Sequence, residues 1–207
     1  KSEERKNAFI NSICHEVRTP LNSIAGFSEL LCADEVSPEA HDQYCQIIHE
    51  SRRQLRYLFE DMLEVSYLEN LTEPLPRSYL NLCALCRSQL RAMKIRCPKT
   101  GVAYADGIPA ETIAVVSSEK YLGVLLSALL GNAYKFTREG HIRLECGREG
   151  DERVYIAVTD TGCGIPPEKY DQAFERFTKL DPFSQGNGLG LYLCRLIVRH
   201  LGGEIRI

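Results

Sequence analysis

The sequence predicts an α+β protein built from an N-terminal helical hairpin and a C-terminal α/β sandwich. Two apolar stripes with helical spacing occupy the first third of the chain, and alternating β-rich and helical runs occupy the rest. A proline-containing break separates the two parts. The length of 207 residues suits two small domains, because single cores usually take about 100 to 150 residues.

Each apolar stripe predicts a helix with one buried seam. In the first stripe the seam residues recur three and four positions apart, with Pro20 filling one position: Ile10, Ile13, Val17, Ile24, Phe27 and Leu31. The second seam has the same spacing: Tyr44, Ile48, Ser51, Leu55, Leu58, Met62 and Val65. Ser37 and Pro38 suit an N-cap and a first helical position, so the connection is short and the helices should be antiparallel.

A lone helical hairpin leaves much of its apolar seam in water. Pairing with a second copy into a dimeric four-helix bundle buries that seam, so we expect a homodimer. The alternative is that the second domain covers the seam within one chain.

The break at residues 72–76 carries two prolines and ends the helical pattern. We therefore expect a helical domain at 1–71, a linker at 72–76 and a sandwich domain at 77–207. Within the last part we expect one sheet covered by helices. The β-rich runs lie near 77–80, 102–105, 113–116, 141–147 and 153–159, and the helical runs near 82–95, 118–136 and 188–201.

Charge and composition argue against several classes of protein. The net charge of -3 and the pI near 6.0 provide no basic surface for nucleic acid. No run reaches the roughly 18 apolar residues of a membrane span, and the N-terminal residues lack the apolar region of a signal peptide. The nine cysteines are scattered among apolar positions, as is typical of reduced thiols. Cys83 and Cys86 lack the further ligands of a zinc site, so we expect no metal there.

His15 lies opposite the seam of the first helix, on a polar strip with Thr19. An exposed histidine is ordinarily a solvated residue, but the neighbours of His15 favour chemistry. The Glu16 carboxylate can bond one ring nitrogen and leave the other as a neutral nucleophile. Pro20 has no amide hydrogen, so the carbonyl of Glu16 loses its helical partner and the helix should bend beside His15.

Two glycine-containing motifs and one helix end predict a nucleotide site, in which the first motif can clasp a flat ring and the second suits a polyphosphate. Asp160, Gly162 and Gly164 follow a β-rich run, and a second motif opens a long helix whose N-terminus suits phosphate. The glycines of the second motif are Gly186, Gly188 and Gly190. Asn132 offers an oxygen for magnesium and Lys135 an ammonium for phosphate, one turn apart. Each motif alone is equally compatible with an ordinary turn or a solvated helix face.

Residues 9–21 closely resemble the phosphoacceptor box of sensor histidine kinases. Four further segments resemble the N, G1, F and G2 boxes of the ATP-binding domain that histidine kinases share with gyrase-type topoisomerases and heat-shock chaperones. These segments are 132–137, 160–165, 174–177 and 186–191. Together they span essentially the whole chain.

The resemblance implies a role for each matching residue. His15 would receive the γ-phosphoryl group of ATP, Glu16 would assist proton transfer, and Thr19 would help to hydrolyse the phosphorylated regulator. In the ATP-binding domain, Asn132 would hold Mg²⁺, Lys135 would touch phosphate, and Asp160 would bind the adenine amino group. The glycines would admit the nucleotide, and Lys179 would extend toward the γ-phosphate.

The sequence departs from the family pattern at three places. Cys14 replaces a usual serine, and Ala128 stands where the N box usually has another asparagine. The chain also ends within an expected strand at 201–207, before the family's final strand, so the sheet should have an exposed edge.

The resemblance also implies partners. A response-regulator receiver domain would accept the phosphoryl group, and a sensor region outside this chain would attach the kinase to a membrane, which makes the chain a cytoplasmic portion. Two alternatives stay open: an ATPase of the chaperone or topoisomerase kind without a phosphohistidine, and a non-catalytic scaffold derived from a kinase.

Overall fold

The computed structural model describes residues 2–33, 36–96, 98–150, 152–179 and 188–207, with side chains from residue 10 onward. These residues form two compact units. The first unit consists of the described residues of Lys1–Tyr67 and Glu175–Leu189. The second consists of the described residues of Leu68–Phe174 and Gly190–Ile207.

The hairpin consists of α1, Ser2–Leu31, and α2, Pro38–Asn70. The Ser37 hydroxyl accepts a hydrogen bond from the Ala40 amide at 3.2 Å, which confirms Ser37 as the N-cap of α2. Near this turn the rings of Phe27 and Tyr44 lie 5.4 Å apart, so the two predicted seams meet. α1 continues through Pro20, and the bend expected there stays a prediction.

The two seams differ in burial. In α2, Ser51, Leu58 and Val65 are buried, whereas among the described seam residues of α1 only Pro20 is buried and the others are half-buried or, at Ile10, 45% exposed. Both helices also carry exposed large apolar side chains outside the seams, including Leu21, Leu30, Tyr57, Phe59, Leu63 and Tyr67. Among the described residues, none of the helices combines the length and apolarity that crossing a bilayer requires.

The described residues of the second unit form five strands in two ladders. The strands are β1, Ser78–Asn81; β2, Val102–Gly107; β3, Ala114–Ser117; β4, Gly140–Glu149; and β5, Arg153–Asp160. In the first ladder β1 pairs antiparallel with β3. In the second, the central strand β4 pairs parallel with β2 and antiparallel with β5. The predicted strands are thus confirmed, but the expectation of a single sheet is wrong for the described residues. Within the part of the chain that the structure describes, the four-residue strands β1 and β3 pair only with each other.

The helices of this unit are α3, Leu82–Arg96; α4, Glu119–Phe136; a short α5, Tyr170–Ala173; and α6, Gly190–Leu201. A 3₁₀ turn, Pro167–Lys169, precedes α5. The core lies where α4 contacts α6 and α3, and where α3 crosses β4. Its fully buried side chains include Leu126, Leu130, Ile142, Leu144 and Ile197. Burial alternates along β4 because successive side chains point to opposite faces.

The last turn of α2 belongs to the second unit. Leu68 is 1% exposed, and its carbonyl oxygen lies 2.7 Å from Nε2 of His200. The Tyr192 hydroxyl donates a hydrogen bond to Glu69. Leu75, inside the expected linker, is also buried. The domain boundaries at 71 and 77 remain a prediction.

The prediction of a strand at 201–207 is wrong. α6 ends at Leu201, Gly202 adopts a φ of +80°, and the Gly203 amide donates to the Val198 carbonyl at 2.9 Å. This is a glycine-terminated helix end. The residues after it form no strand, because no described strand pairs with them, and Arg206 pairs with Glu204 at 2.8 Å instead.

Cysteines form part of the core, as their apolar neighbours predict. Cys83, Cys86 and Cys146 are at most 1% exposed, and Sγ of Cys146 lies 3.9 Å from Sγ of Cys83. Burial raises the pKa of the Cys86 thiol from 9.0 to about 11, and burial raises that of Cys146 as well. The raised pKa values keep the Cys86 and Cys146 thiols protonated, and therefore uncharged, at neutral pH.

We predict that the free energy of unfolding falls as the pH rises from 9 toward 11, the range set by the Cys86 thiol. Because the folded pKa of Cys86 exceeds that of the unfolded thiol, the contribution is complete below pH 9 and is lost as the pH approaches 11. Denaturant unfolding from pH 8 to 11 should show a loss of roughly 2 kcal/mol attributable to this site. A Cys86→Ala variant serves as the reference, and an identical pH dependence in both proteins would contradict the assignment.

Candidate functional site

His15 is an exposed residue of α1. Its side chain is 76% accessible, which confirms the prediction from helical spacing. Its Nδ1 atom lies 3.9 Å from Oε1 of Glu16, beyond hydrogen-bond range, so the expected bond to the ring is not formed. Neighbouring helical residues point about 100° apart, which keeps the carboxylate from reaching the ring easily.

Lys179 occupies the position expected of a phosphate ligand, yet the structure places it on Glu16. The Lys179 ammonium donates to Oε1 of Glu16 at 2.6 Å, within the first unit. This is the oxygen that faces Nδ1 of His15. Sequence reasoning did not pair these residues, because no local pattern links positions 163 residues apart.

Thr19 lies one turn after His15 and is exposed. Its hydroxyl donates to the carbonyl oxygen of His15 at 3.3 Å, and the Ser23 hydroxyl makes the same bond to Thr19 at 3.2 Å. Such bonds to the carbonyl four residues back are common for hydroxyl side chains in helices. Thr19 therefore shares the exposed strip of His15, as predicted.

In the second unit, the end of β5 and the end of α4 meet at one turn. The Gly162 amide donates to Oδ1 of Asp160 at 2.8 Å, and Oγ1 of Thr137 lies 3.5 Å from the same oxygen. A Cβ atom at Gly162 would lie 2.6 Å from the carbonyl oxygen of Phe136. Only glycine therefore fits at Gly162, and the exposed Asp160 carboxylate is held in one orientation.

The Thr161 hydroxyl fixes the same turn through hydrogen bonds to the backbone at the start of β4. Oγ1 of Thr161 accepts the His141 amide at 3.0 Å and donates to the Glu139 carbonyl at 3.2 Å. Gly140 has a φ of +109°, and a Cβ atom there would lie 2.1 Å from this hydroxyl. Sequence reasoning missed Thr161 and the fully buried Thr137. Thr161 lies within the Asp160 motif and Thr137 ends the segment 132–137, and these positions were the only signals that the sequence offered.

Asn132 and Lys135 lie one turn apart on α4, and both are half-buried. The amide nitrogen Nδ2 of Asn132 is the nearest atom to a Cβ built at Gly190, at 3.9 Å, so Asn132 faces the start of α6. The ammonium of Lys135 lies 4.4 Å from the Phe136 ring centroid. One turn before Asn132, Ala128 offers no polar atom. The structure thus brings Asn132 and Gly190 together within the second unit.

The remaining predicted glycines have separate outcomes. Gly164 has a φ of +67° with open space around it, which suits a flexible turn after Asp160. Gly188, in the first unit, also has a φ of +67°, and a Cβ there would lie 2.6 Å from the backbone of Phe177. Phe177 itself has a φ of 55°. Gly186 lies outside the described residues.

The donor set fits a magnesium ion held jointly with a nucleotide. An amide oxygen such as that of Asn132 is a hard ligand, and Mg²⁺ usually takes few protein ligands together with phosphates and waters. Across the part of the chain that the structure describes, no group of three or more acidic, histidine or cysteine side chains forms an all-protein metal cage.

Two family matches agree with these two sites. Residues 5–71 match the His Kinase A (phospho-acceptor) domain, and residues 117–207 match the histidine kinase-, DNA gyrase B- and HSP90-like ATPase. The fold and site thus define a phosphoacceptor hairpin joined to an ATPase of this kind. This combination places the chain in the sensor histidine kinase family, of which it is a kinase core.

Individual relatives support the assignment. The chain is 30% identical to the histidine protein kinase DivJ of Caulobacter vibrioides over 204 residues, which cover 96% of this chain and 34% of DivJ. The structure resembles full-length ShkA in complex with AMPPNP, with a TM-score of 0.67 and 27% identity over 97% of this chain and 43% of ShkA. It shares its fold with ThkA solved with the response regulator TrrA, with a TM-score of 0.76 and 23% identity over 98% of this chain and 58% of the ThkA chain.

We predict that Gly162→Ala damages the nucleotide site and that Gly131→Ala does not. The new methyl group at position 162 meets the Phe136 carbonyl, so unfolding free energy should fall by about 1 to 3 kcal/mol. A Cβ atom at Gly131, on α4, would meet no described atom within 4 Å beyond its own helix backbone, and alanine there should stabilise the helix by up to about 1 kcal/mol. Denaturant unfolding and binding of a fluorescent ATP analogue measure both effects. Equal unfolding midpoints for Gly162→Ala and wild type would refute the close approach.

Proposed function

We propose that this protein uses ATP to phosphorylate His15 and then transfers the phosphoryl group to an aspartate of a response-regulator receiver domain. The observation that carries the proposal is an exposed imidazole, 76% accessible, in a chain that also holds the ATPase-type turn of Asp160 and Gly162. Membership of the histidine kinase family supports the same conclusion.

The second unit would bind the nucleotide. The fixed Asp160 carboxylate can accept hydrogen bonds from the adenine amino group, and Gly162 and Gly164 leave room for the ring. The backbone amides at the start of α6 suit phosphate, because the helix N-terminus carries partial positive charge. Asn132 would hold Mg²⁺, which neutralises phosphate charge when bound, and Lys135 would add a positive charge one turn away.

The transfer to His15 exchanges one bond for another. A ring nitrogen of neutral His15 forms a bond to the γ-phosphorus while the bond from that phosphorus to the β–γ bridging oxygen breaks, and ADP leaves with its electron pair. Positive charge then develops on the imidazole. Glu16 lies 3.9 Å from Nδ1 and can accept its proton after a small side-chain movement.

The proposed assembly is a homodimer formed through α1 and α2. The incompletely buried α1 seam and the exposed apolar side chains of both helices support it, because a four-helix bundle covers such surfaces. The chain spans 34% of the length of DivJ. We infer that it is the cytoplasmic portion of a longer, membrane-anchored sensor.

We predict that His15→Gln abolishes incorporation of label from γ-labelled ATP while leaving ATP-analogue binding unchanged. The exposed imidazole makes no core contact, so folding should not be affected. His49→Gln changes an exposed histidine of α2, away from His15 in the sequence, and should retain full labelling. The label should be acid-labile. Phosphate release without any protein-bound label would instead favour an ATPase of the chaperone or topoisomerase kind.

We predict that Thr19→Ala retains self-phosphorylation but slows loss of label from the phosphorylated regulator by about 10-fold. The Thr19 hydroxyl shares the strip of His15 and can orient a hydrolytic water. Ser23→Ala removes the equivalent helix bond one turn further on, so it controls for effects on helix stability. Decay rates should be measured with the cognate regulator. Equal decay with Thr19→Ala and Ser23→Ala would exclude a specific role for Thr19.

A further inference from the structure

The ion pair between Lys179 and Glu16 joins two distant parts of the sequence. The ammonium and the carboxylate oxygen are 2.6 Å apart, and the side chains are only 24% and 21% exposed. The Arg53–Glu50 pair differs, because it joins neighbours on α2 whose side chains are 58% and 43% exposed. A pair shielded on most sides is less screened by salt and solvent than a surface pair.

Shielding also makes each partner dependent on the other. Moving either charge away from water is unfavourable unless a partner of opposite charge compensates. A short ammonium–carboxylate hydrogen bond is among the stronger polar contacts in proteins. Lys179 therefore restricts the Glu16 carboxylate, which could otherwise rotate about three side-chain bonds.

We propose that Lys179 is a positioning residue that holds the Glu16 carboxylate beside the ring of His15. This inference rests on the proposed kinase function and deepens it. Lys179 bonds Oε1 of Glu16, the oxygen that lies 3.9 Å from Nδ1 of His15. A movement of about 1 Å brings that oxygen into the range for accepting the Nδ1 proton as the phosphorus–nitrogen bond forms.

A direct role on the nucleotide makes different predictions. If Lys179 served only the γ-phosphate, its loss would change the reaction with ATP whether or not Glu16 is ionisable. If it acts through Glu16, its loss matters only while Glu16 carries a carboxylate. A double-mutant cycle separates the two roles, because it measures whether the effects of two substitutions are independent.

The experiment compares wild type, Lys179→Ala, Glu16→Gln and the double variant of the 207-residue chain. Lys179→Ala should lower kcat for self-phosphorylation about 10-fold, with KM for ATP and ATP-analogue affinity unchanged. In the Glu16→Gln background, Lys179→Ala should have no further effect. Lys179→Arg should restore most of the rate, because it keeps a cation that can bond the carboxylate. Lys94→Ala, at an exposed position on α3, is the matched control and should have full activity.

A second measurement does not depend on catalysis. Reductive ¹³C-methylation keeps the lysine charge and gives Lys179 an NMR signal. That signal should shift in Glu16→Gln and not in Glu39→Gln, which changes an exposed glutamate of α2.

Three results would overturn the inference: independent effects in the cycle, a rise in KM as the main effect of Lys179→Ala, or an NMR signal insensitive to Glu16. Absence of label from wild type would overturn the proposed function itself, and the positioning role with it. The two failures are distinguishable because the cycle is interpreted only from a labelled wild-type protein.

Discussion

The close approach of Gly162 to the carbonyl oxygen of Phe136 is the constraint on which the candidate nucleotide site depends. It ties the end of β5 to the end of α4, so the carboxylate of Asp160 and the polar residues of α4 belong to one rigid arrangement. Thr161 adds bonds to the backbone at the start of β4. The site is thus supported by helix and strand ends that are themselves anchored in the core.

This arrangement supports the proposal that separate residue types would bind separate parts of a nucleotide. A carboxylate fixed by a backbone amide presents acceptors in a set direction, which suits a flat, hydrogen-bonding ring. The beginning of α6 instead offers amide donors and partial positive charge, which suit phosphate. His15 needs no comparable cradle. Its proposed role as an acceptor of a phosphoryl group requires access above all, and its exposure on α1 supplies that.

Sequence alone predicted the features that depend on local spacing. Helical periodicity located α1 and α2 and the exposed face of His15, and residue types located each of the five strands. Long-range pairing was not accessible in this way. Neither the division of the strands into two ladders nor the bond from Lys179 to Glu16 leaves a local signature.

Two wrong expectations and the overlooked Thr137 share a physical cause: each depends on partners that are distant in the sequence. The bond between Glu16 and the His15 ring was expected from these two neighbours alone. The Lys179 ammonium binds the same oxygen of Glu16 instead. The expected terminal strand considered β-propensity and ignored the need for a neighbouring strand to pair with. Thr137 was overlooked because a buried hydroxyl beside a helix end looks like any other polar residue until Asp160 is placed next to it.

The attachment of the last turn of α2 to the second unit has a consequence for how the chain can be divided. A fragment that starts after the two prolines would lack Leu68 and Glu69, and would leave Tyr192 and His200 of α6 without the partners that they have in the intact chain. We therefore expect a fragment that begins within α2 to keep these contacts and a fragment that begins at the proline-rich break to lose them. By the same reasoning, extra residues inserted at 72–74 would lengthen the connection without releasing the helix end that it follows.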